Sequence, residues 1–458
     1  MTHDLIVIGG GMAGLPLAMK AVHKGFTTAL VERELLGGTC LNRGCIPTKA
    51  MIACAAVAQT VRRASEYGVR AGKPEVDLGA VVDRKDRIMT GIREGAYRGA
   101  EKNEKLTLVE GVARLEGASR VRVGERVLQA TRIVVNVGAR PGDPKIEGLA
   151  DLPFLTSREA LELRQLPEHL LVIGGGYVGV EFAQMYARFG SRVTVVQRGE
   201  RLVPGEEPEI GEGLAEVFED EGITVHTSTE AIRAEATDEG VRVLLRRKGD
   251  EIRVDGSHLL VATGRLPNTD DLGLEAAGVA TDADGFIRVD GRFQTTADGV
   301  HAIGDVTGEP MFTHTARDDA DLLYRILMKE DADATADGRV VPHAVFTDPE
   351  IASVGLTEAA AREEGFDVSV NVQAFRGVAR AKAAGTIAGL IKLVGDRDSG
   401  RLLGGHILGP SAGELIHEIA LALMLEADAA DLARMIHVHP TLSEGLNAAA
   451  GGVHRPAS

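Results

Sequence analysis

Leu5-Ile-Val-Ile-Gly9-Gly-Gly-Met-Ala-Gly14-Leu-Pro-Leu-Ala18 and Leu170-Leu-Val-Ile-Gly174-Gly-Gly-Tyr-Val-Gly179-Val-Glu-Phe-Ala183 are two copies of one local pattern. Each reads as a buried strand, a G-x-G-x-x-G turn and an apolar-faced helix. Each returns to a second strand, Thr27–Glu32 in one copy and Arg192–Gln197 in the other. The spacing from Gly14 to Glu32 and from Gly179 to Gln197 is 18 residues in both. The repeat extends to Ile133-Val-Val-Asn-Val-Gly138-Ala-Arg-Pro141 and Leu259-Leu-Val-Ala-Thr-Gly264-Arg-Leu-Pro267, each a strand and turn that closes its own unit. One glycine motif is weak evidence, since glycine turns are common. Two, each with strand, helix, second strand and closing turn, are strong.

Beyond about residue 340 the pattern changes. Val340–Phe346, Val368–Phe375, Gly389–Val394 and Leu402–Leu408 read as strands, and Thr357–Glu364, Ala412–Glu426 and Ala429–Met435 as helices. The polar or Gly/Pro-rich segments 200–211, 330–340 and 395–400 read as loops. The expected fold is α/β, with two Rossmann-like dinucleotide-binding domains and a C-terminal α+β module on a mostly antiparallel sheet.

A chain of 458 residues is too long for one core. Its 51 basic against 67 acidic residues, a net −16, argue against nucleic acid or an anionic membrane as partner. The N-terminus has no basic region, and its apolar run stops at the glycines, so no signal peptide is expected. No stretch approaches the roughly 18 apolar residues of a membrane span, so no membrane helix is expected and the location is taken as cytoplasmic. Only three cysteines occur, Cys40, Cys45 and Cys54. Their clustering suits chemistry better than a disulfide scaffold.

Gly9, Gly11 and Gly14 let the backbone approach a pyrophosphate at a helix N-terminus, where free N–H groups and the dipole favour anions. Glu32 is placed to hold a ribose diol. Gly174, Gly176 and Gly179 repeat the turn, but Gln197 stands in place of the acid and Arg198 follows it. A carboxylate repels a 2′-phosphate; an amide beside a guanidinium does not, which favours NADPH over NADH. The alternative is a solvated Arg198 and a Gln197 that binds a ribose hydroxyl.

Gly38-Thr-Cys40-Leu-Asn-Arg-Gly-Cys45-Ile-Pro-Thr-Lys49 is the most specific segment. An unbroken helix holds residues five apart at roughly 8–9 Å between Cα atoms. A disulfide needs about 4.4–6.8 Å, so a redox pair here requires a distorted turn, which Gly44 and Pro47 permit. Pro47 also suits a helix start, which puts Cys45 near a positive dipole end that favours thiolate. The other readings are a metal pair or inert core cysteines. Cys54, on an Ala-rich stretch, reads as a packed small residue. Val300-His-Ala-Ile-Gly304-Asp305 places an acid after a strand, a weak signal alone. In His437-Val-His439-Pro-Thr-Leu-Ser-Glu444, His439 and Glu444 form a candidate acid–base pair for thiol exchange. Glu444 also fits a capping box with Thr441, and His437 reads as structural.

These motifs resemble those of the class I pyridine nucleotide-disulfide oxidoreductases, which include dihydrolipoyl dehydrogenase, glutathione reductase and mercuric reductase. The resemblance covers essentially the whole chain. It rests on the two glycine turns, the Cys40…Cys45-Ile-Pro-Thr-Lys49 segment, Ala262-Thr-Gly-Arg-Leu-Pro-Asn268, Gly304-Asp305 and His439-Pro-Thr-Leu-Ser-Glu444.

It implies an FAD-binding domain begun by residues 1–145 and completed by 266–338, an NAD(P)H-binding domain at 146–265 and a dimerisation domain at 339–458. FAD would contact Thr39, Gly138 and Asp305, and the nicotinamide nucleotide, NADPH or NADH, would lie on the second turn near Gly264. Lys49 and Glu181 would pair near the flavin, and Tyr177 would cover the nicotinamide pocket. Cys45 would face the flavin as the charge-transfer thiol, and Cys40 would exchange with substrate. His439, preceding a cis proline, and Glu444 would come from the partner subunit of a homodimer.

Three departures bear on substrate. Val137 replaces a threonine, Arg43 between the cysteines suggests a more cationic channel mouth, and Phe375-Arg-Gly-Val-Ala-Arg380-Ala-Lys resembles the mercuric-reductase branch. The C-terminal Gly-Val-His-Arg-Pro-Ala-Ser lacks the cysteine pair by which mercuric reductases hand Hg(II) inward. The leading reading is an NAD(P)H-linked reductase of a small disulfide, of dihydrolipoyl-dehydrogenase type and reversible towards a dithiol. The alternatives are a mercuric-reductase-like or other metal, quinone or oxidant reductase, and a flavin-binding redox sensor without turnover.

Overall fold

The computed structural model of the chain describes residues 2–308, 310–331 and 333–453. The last residues of the tail, 454–458, lie outside the described residues. The first repeat forms a parallel sheet in the order Val300–Ala302, Ile133–Val135, Leu5–Ile8, Thr28–Glu32, Leu106–Glu110. Leu5–Ile8 lies at its centre with all four side chains buried, as a continuous apolar run requires in a sheet covered on both faces. The second repeat forms a parallel sheet in the order Thr224–His226, Arg192–Val196, His169–Ile173, His258–Val261. The two closing segments take equivalent places, Ile133–Val135 beside Leu5–Ile8 and His258–Val261 beside His169–Ile173. Their continuations pair with each other, Ala139–Pro141 antiparallel to Arg265–Pro267, so the repeat joins its own halves.

The C-terminal sheet is antiparallel throughout, in the order His343–Val345, Glu350–Gly355, Leu402–Gly409, Leu390–Asp396, Val368–Ala374. Helices Ala412–Met424 and Glu444–Gly451 pack on it. The strand Glu350–Gly355 was not anticipated. Its Ile351, Ala352, Ser353 and Val354 are all buried, so it lacks the polar–apolar alternation that marks a half-exposed strand. The segment 200–211 is not all loop, because Pro208 starts the helix Pro208–Asp220, where a missing N–H costs nothing.

By length and apolar content one helical run, Gly38–Tyr67, passes for a membrane span. It carries Arg43, Lys49, Arg62 and Arg63, and its Met51 and Ala55 are buried in a core shared with Val180 and Phe182.

Each glycine helix sits directly over its strand. A Cβ at Gly14 would lie 2.0 Å from Gly9 O, and one at Gly179 would lie 1.8 Å from Gly174 O. Gly9 and Gly174 have φ of +103° and +108°, and a Cβ on either would strike a backbone carbonyl of the closing segment, Asn136 or Ala262. Gly179→Ala is therefore expected to force the helix off its strand and destabilise the second unit by about 3 kcal/mol, the scale of an overpacked core site. Thermal unfolding checks this. Gly176→Ala is the control, since a Cβ there meets nothing within 4 Å.

Candidate active site

The break between the cysteines is sharp. One helix runs Gly38–Arg43, Gly44 leaves helical geometry at φ −135° and ψ −115°, and a second helix runs Cys45–Arg63. Cys45 is the first residue of the new helix and Pro47 lies in its first turn. Cys40, Cys45 and Cys54 are free thiols. The Cys40 and Cys45 sulfurs are hydrogen-bonded to each other. Cys45 Sγ also lies 3.3 Å from Thr313 Oγ1, at the start of helix Thr313–Leu327. Cys54 donates to Ala50 O at 3.4 Å within its own helix.

The two thiols are pushed apart in acidity. The hydrogen bond from Cys40 outweighs burial and, with Thr313 and the Lys49 ammonium, brings Cys45 down to about 6. Cys40 moves the opposite way, because it donates to Cys45, is buried and faces the charge on Cys45. Cys45 is thus the more acidic thiol of the pair and Cys40 the less acidic.

Both cysteines line a cavity of about 900 Å³ that extends to the first glycine turn. Of the residues singled out in the sequence, Gly9, Gly11, Glu32, Thr39, Cys40, Cys45, Lys49, Gly138, Tyr177, Glu181 and Asp305 line it. Gly14 lies under the turn, at the crossing described above. Glu32 Oε2 accepts from Gly10 N at 2.8 Å and its Oε1 from Glu34 N at 2.8 Å. Lys49 Nζ lies 2.8 Å from both carboxylate oxygens of Glu181, which is almost fully buried and also accepts from Phe346 N at 2.9 Å. Asp305 Oδ2 accepts from Arg265 at 3.1 Å, and Arg265 also donates to Ala139 O, tying both closing turns to this wall.

Gly174, Gly176, Gly179, Gly264, Gln197 and Arg198 gather at the second turn, off this cavity. Gln197 Oε1 accepts from Gly175 N at 2.9 Å, the bond that Glu32 makes to Gly10. Arg198 is exposed. Gly11 and Gly176 differ from the crossing glycines. A Cβ at Gly176 meets nothing within 4 Å, and one at Gly11 meets only Asn136 Nδ2 at 3.4 Å and Gly38 Cα at 3.9 Å. The protein's own packing does not require these two glycines. They keep room at two helix N-termini, which fits two dinucleotide diphosphates.

His439 and Glu444 are not on this cavity. His439 Nδ1 lies 2.9 Å from Glu444 Oε1, and Glu444 Oε2 accepts from Thr441 N at 2.9 Å. Those two contacts hold Glu444 below the usual carboxylate range. Ser443, not Thr441, stands at the N-cap of the last helix and makes no side-chain cap bond, and His439–Pro440 is cis. The His439 side chain is 72% exposed, beside Ile436 and Val438 at 94% and 76%. His437 bonds to Glu418 Oε1 at 2.7 Å. Arg43 does not add a free charge at the mouth, because it pairs closely with Glu34.

The sequence reading passed over Asn136, Arg265, Phe312, Thr313, Glu206 and His343. Asn136 donates to Gly9 O at 3.2 Å from inside the closing segment, where its position in the repeat was the available signal. Glu206 is buried and accepts from Tyr177 Oη at 2.5 Å, His343 Nε2 at 2.6 Å and Ser353 Oγ at 2.5 Å. Burial pushes its acidity one way, but these three donors outweigh it and hold the carboxyl below its ordinary range.

Residues 3–320 match the family model described as pyridine nucleotide-disulphide oxidoreductase, and residues 341–450 match the dimerisation domain of that family. A dihydrolipoyl dehydrogenase of Thermus scotoductus is 40% identical, with 100% of this chain and 98% of the relative covered. A mercuric reductase of Streptomyces lividans is 38% identical over 98% of this chain and 95% of its own. Among solved structures, the Cu(II) complex of the HOCl-induced flavoprotein disulfide reductase RclA from Escherichia coli superposes with a TM-score of 0.89 at 30% identity, covering 98% and 99% of the two chains.

The chain belongs to the class I pyridine nucleotide-disulfide oxidoreductase family. It is an FAD-dependent oxidoreductase that acts on sulfur with NAD(P)H, and its C-terminal module is the family's dimerisation domain, which supports a homodimer.

The acidity split makes a direct expectation. In the reduced protein, thiolate absorbance should show one thiolate forming as pH rises through about 6 and a second only under strongly alkaline conditions. Lys49→Met should move the first step upward through a lost positive charge. A first step unmoved by Lys49→Met would show that the ammonium does not act on Cys45.

Proposed function

We propose that this enzyme is an NADPH-linked reductase of a small disulfide, of dihydrolipoyl-dehydrogenase type, working as a homodimer in which His439 and Glu444 serve the partner's cysteines. One observation carries the reading. His439 and Glu444 form a hydrogen-bonded imidazole–carboxylate couple on an exposed apolar face, away from the cavity that the chain's own cysteines line.

Gly9, Gly11, Glu32, Thr39, Gly138 and Asp305 are the residues to hold FAD, which supplies the two-electron relay between nicotinamide and the sulfurs. Gly174, Gly176, Gly179, Gln197, Arg198 and Gly264 are those for NADPH. The chain's own chemistry starts at Cys40. His439, its Nδ1 fixed by Glu444, takes the Cys40 proton through Nε2 as that sulfur attacks one sulfur of the substrate disulfide. A mixed disulfide forms and a substrate thiolate leaves, taking the proton from His439. The Cys45 thiolate then attacks Cys40 Sγ, closes the Cys40–Cys45 bond and releases the second substrate sulfur. The substrate gains two electrons, the cysteine pair loses two, and a dithiol run through the same steps in reverse reduces the pair. Lys49, held by Glu181, favours the Cys45 thiolate throughout.

The relatives include a mercuric reductase, but the His439–Glu444 couple is a device for protonating sulfur and favours a disulfide. NADPH is supported by Gln197, a neutral amide where the first unit has the Glu32 carboxylate, and by the exposed Arg198 beside it.

Two measurements test the reading. In stopped flow, His439→Ala should slow the disulfide half-reaction by a factor on the order of 10²–10⁴ while reduction by NADPH stays fast. Equal slowing of both halves would mean a structural role at the interface and end the acid–base assignment. Gln197→Glu should shift kcat/KM towards NADH, and a wild type that already prefers NADH would overturn the argument from Gln197.

A further inference from the structure

The chain leaves the first parallel sheet at Ile303. Ile303 N still donates to Val135 O at 3.0 Å, in step with the strand Val300–Ala302. Gly304 then takes φ +72°, and its N–H turns to the helix Thr313–Leu327, where it donates to Asp319 Oδ2 at 3.0 Å. Gly304–Thr307 is a single 3-10 turn, and its second residue, Asp305, lines the cavity. The direction in which Asp305 points is therefore set by how Gly304 is held.

Asp319 is only 4% exposed and does not itself line the cavity. Its Oδ1 accepts from Arg339 Nη1 at 2.8 Å, which leaves Oδ2 to Gly304. Arg339 is fixed in turn, since its Nε donates to Ala336 O at 3.1 Å and its Nη1 also reaches Asp318 Oδ2 at 2.7 Å. Burial pushes the Asp319 carboxyl above its ordinary range, against the pull of Gly304 N–H and Arg339. A carboxylate is costly to keep in such a place, and an apolar side chain would pack this helix without that cost. The other side of the turn is closed as well. A Cβ at Gly304 would lie 3.0 Å from Asn136 Oδ1 and 3.4 Å from Ala316 Cβ, and Asn136 donates to Gly9 O at the first glycine turn.

We infer that Asp319 is a positioning residue for FAD, which holds Gly304 N and so aims Asp305 into the cofactor cavity from outside it. The same helix begins with Thr313 against Cys45, so one element seats both the Asp305 turn and the hydroxyl beside the sulfur.

This rests on the reading of Asp305 as a residue that holds FAD, and the experiment separates the two. The holoenzyme is diluted, and FAD release is followed by the rise in free-flavin fluorescence. Asp305→Ala should speed release, because a direct contact is lost. Asp319→Asn keeps the shape but turns an NH2 towards one of its two donors, and should speed release roughly tenfold, the scale of one hydrogen bond to a charged acceptor. If that variant yields no holoenzyme, Arg339→Gln, which leaves Asp319 buried without its counter-ion, takes its place with the same expectations. The double variant should release FAD no faster than Asp305→Ala, because both changes act through the same side chain, whereas a general loosening of the fold would multiply the two effects. Asp318→Ala, which removes a partner of Arg339 but none of Gly304, should leave release unchanged. An unchanged rate in Asp319→Asn, an equal gain in Asp318→Ala, or effects that multiply in the double variant overturns the role of Asp319 and leaves the reading of Asp305 intact. An unchanged rate in Asp305→Ala overturns both together.

Discussion

Two sulfurs five residues apart cannot meet across an unbroken helix, and the site is organised around the break that lets them. Gly44 interrupts the helix, so Cys40 lies in the last turn of one segment and Cys45 opens the next. A side chain at Gly44 would crowd Thr39 O at 3.1 Å and Cys40 Cα at 3.5 Å. The same break gives the sulfurs unlike surroundings. Cys45 gains a helix N-terminus, and Lys49 lies one turn further along the same helix. Cys40 faces Thr313 and Lys49 as well, but its contact with Cys45 and its burial outweigh them.

That asymmetry is useful because exchange and storage need opposite properties. A sulfur that rests as thiolate is stabilised, and a sulfur that must attack a substrate needs its proton removed on demand. The pairing of Lys49 with Glu181 extends the logic beyond one unit. Glu181 lies on the helix of the second repeat and is almost fully buried, so the ammonium near Cys45 is held by the unit that carries the other glycine turn. A half-buried charge pair of this kind contributes more to fixing geometry than to net stability, because desolvation of Glu181 offsets much of its attraction.

The repeat was legible because each step of it is a local constraint. A buried parallel strand is an apolar run, the crossing of strand and helix forbids a Cβ, and the spacing back to Glu32 or Gln197 is set by helix length. The closing segments were legible for the same reason, and the structure adds that they pair with each other. What escaped reading is joined across long sequence separations by single polar contacts. Glu206 and His343 are 137 residues apart, and neither sits in a pattern that periodicity can flag. The strand Glu350–Gly355 escaped because burial on both faces removes its alternation. Arg43 misled in a different way. Its position between the cysteines is evident in the sequence, but its neutralisation by Glu34 depends on how the loop after Glu32 folds back.

Glu206 and its neighbour Glu207 show how the second unit is joined to the C-terminal sheet. The two consecutive carboxylates point to different partners. Glu206 meets Tyr177, His343 and Ser353, while Glu207 accepts from Lys392 Nζ at 2.9 Å and from Glu358 N at 2.5 Å. Lys392 is buried and also meets Glu209 and Glu358, so one ammonium gathers three carboxylates from two parts of the chain. Apolar packing alone lets two surfaces slide over each other at little cost, since contact area is not directional. Buried hydrogen-bonded charges do not allow that, because any shift leaves one of them unmet. Placing such a node immediately after the residue that holds Tyr177 fixes the loop against the sheet from one side. The frame that carries Lys49, Glu181 and the two sulfurs is held against the same sheet, since Glu181 also accepts from Phe346 N.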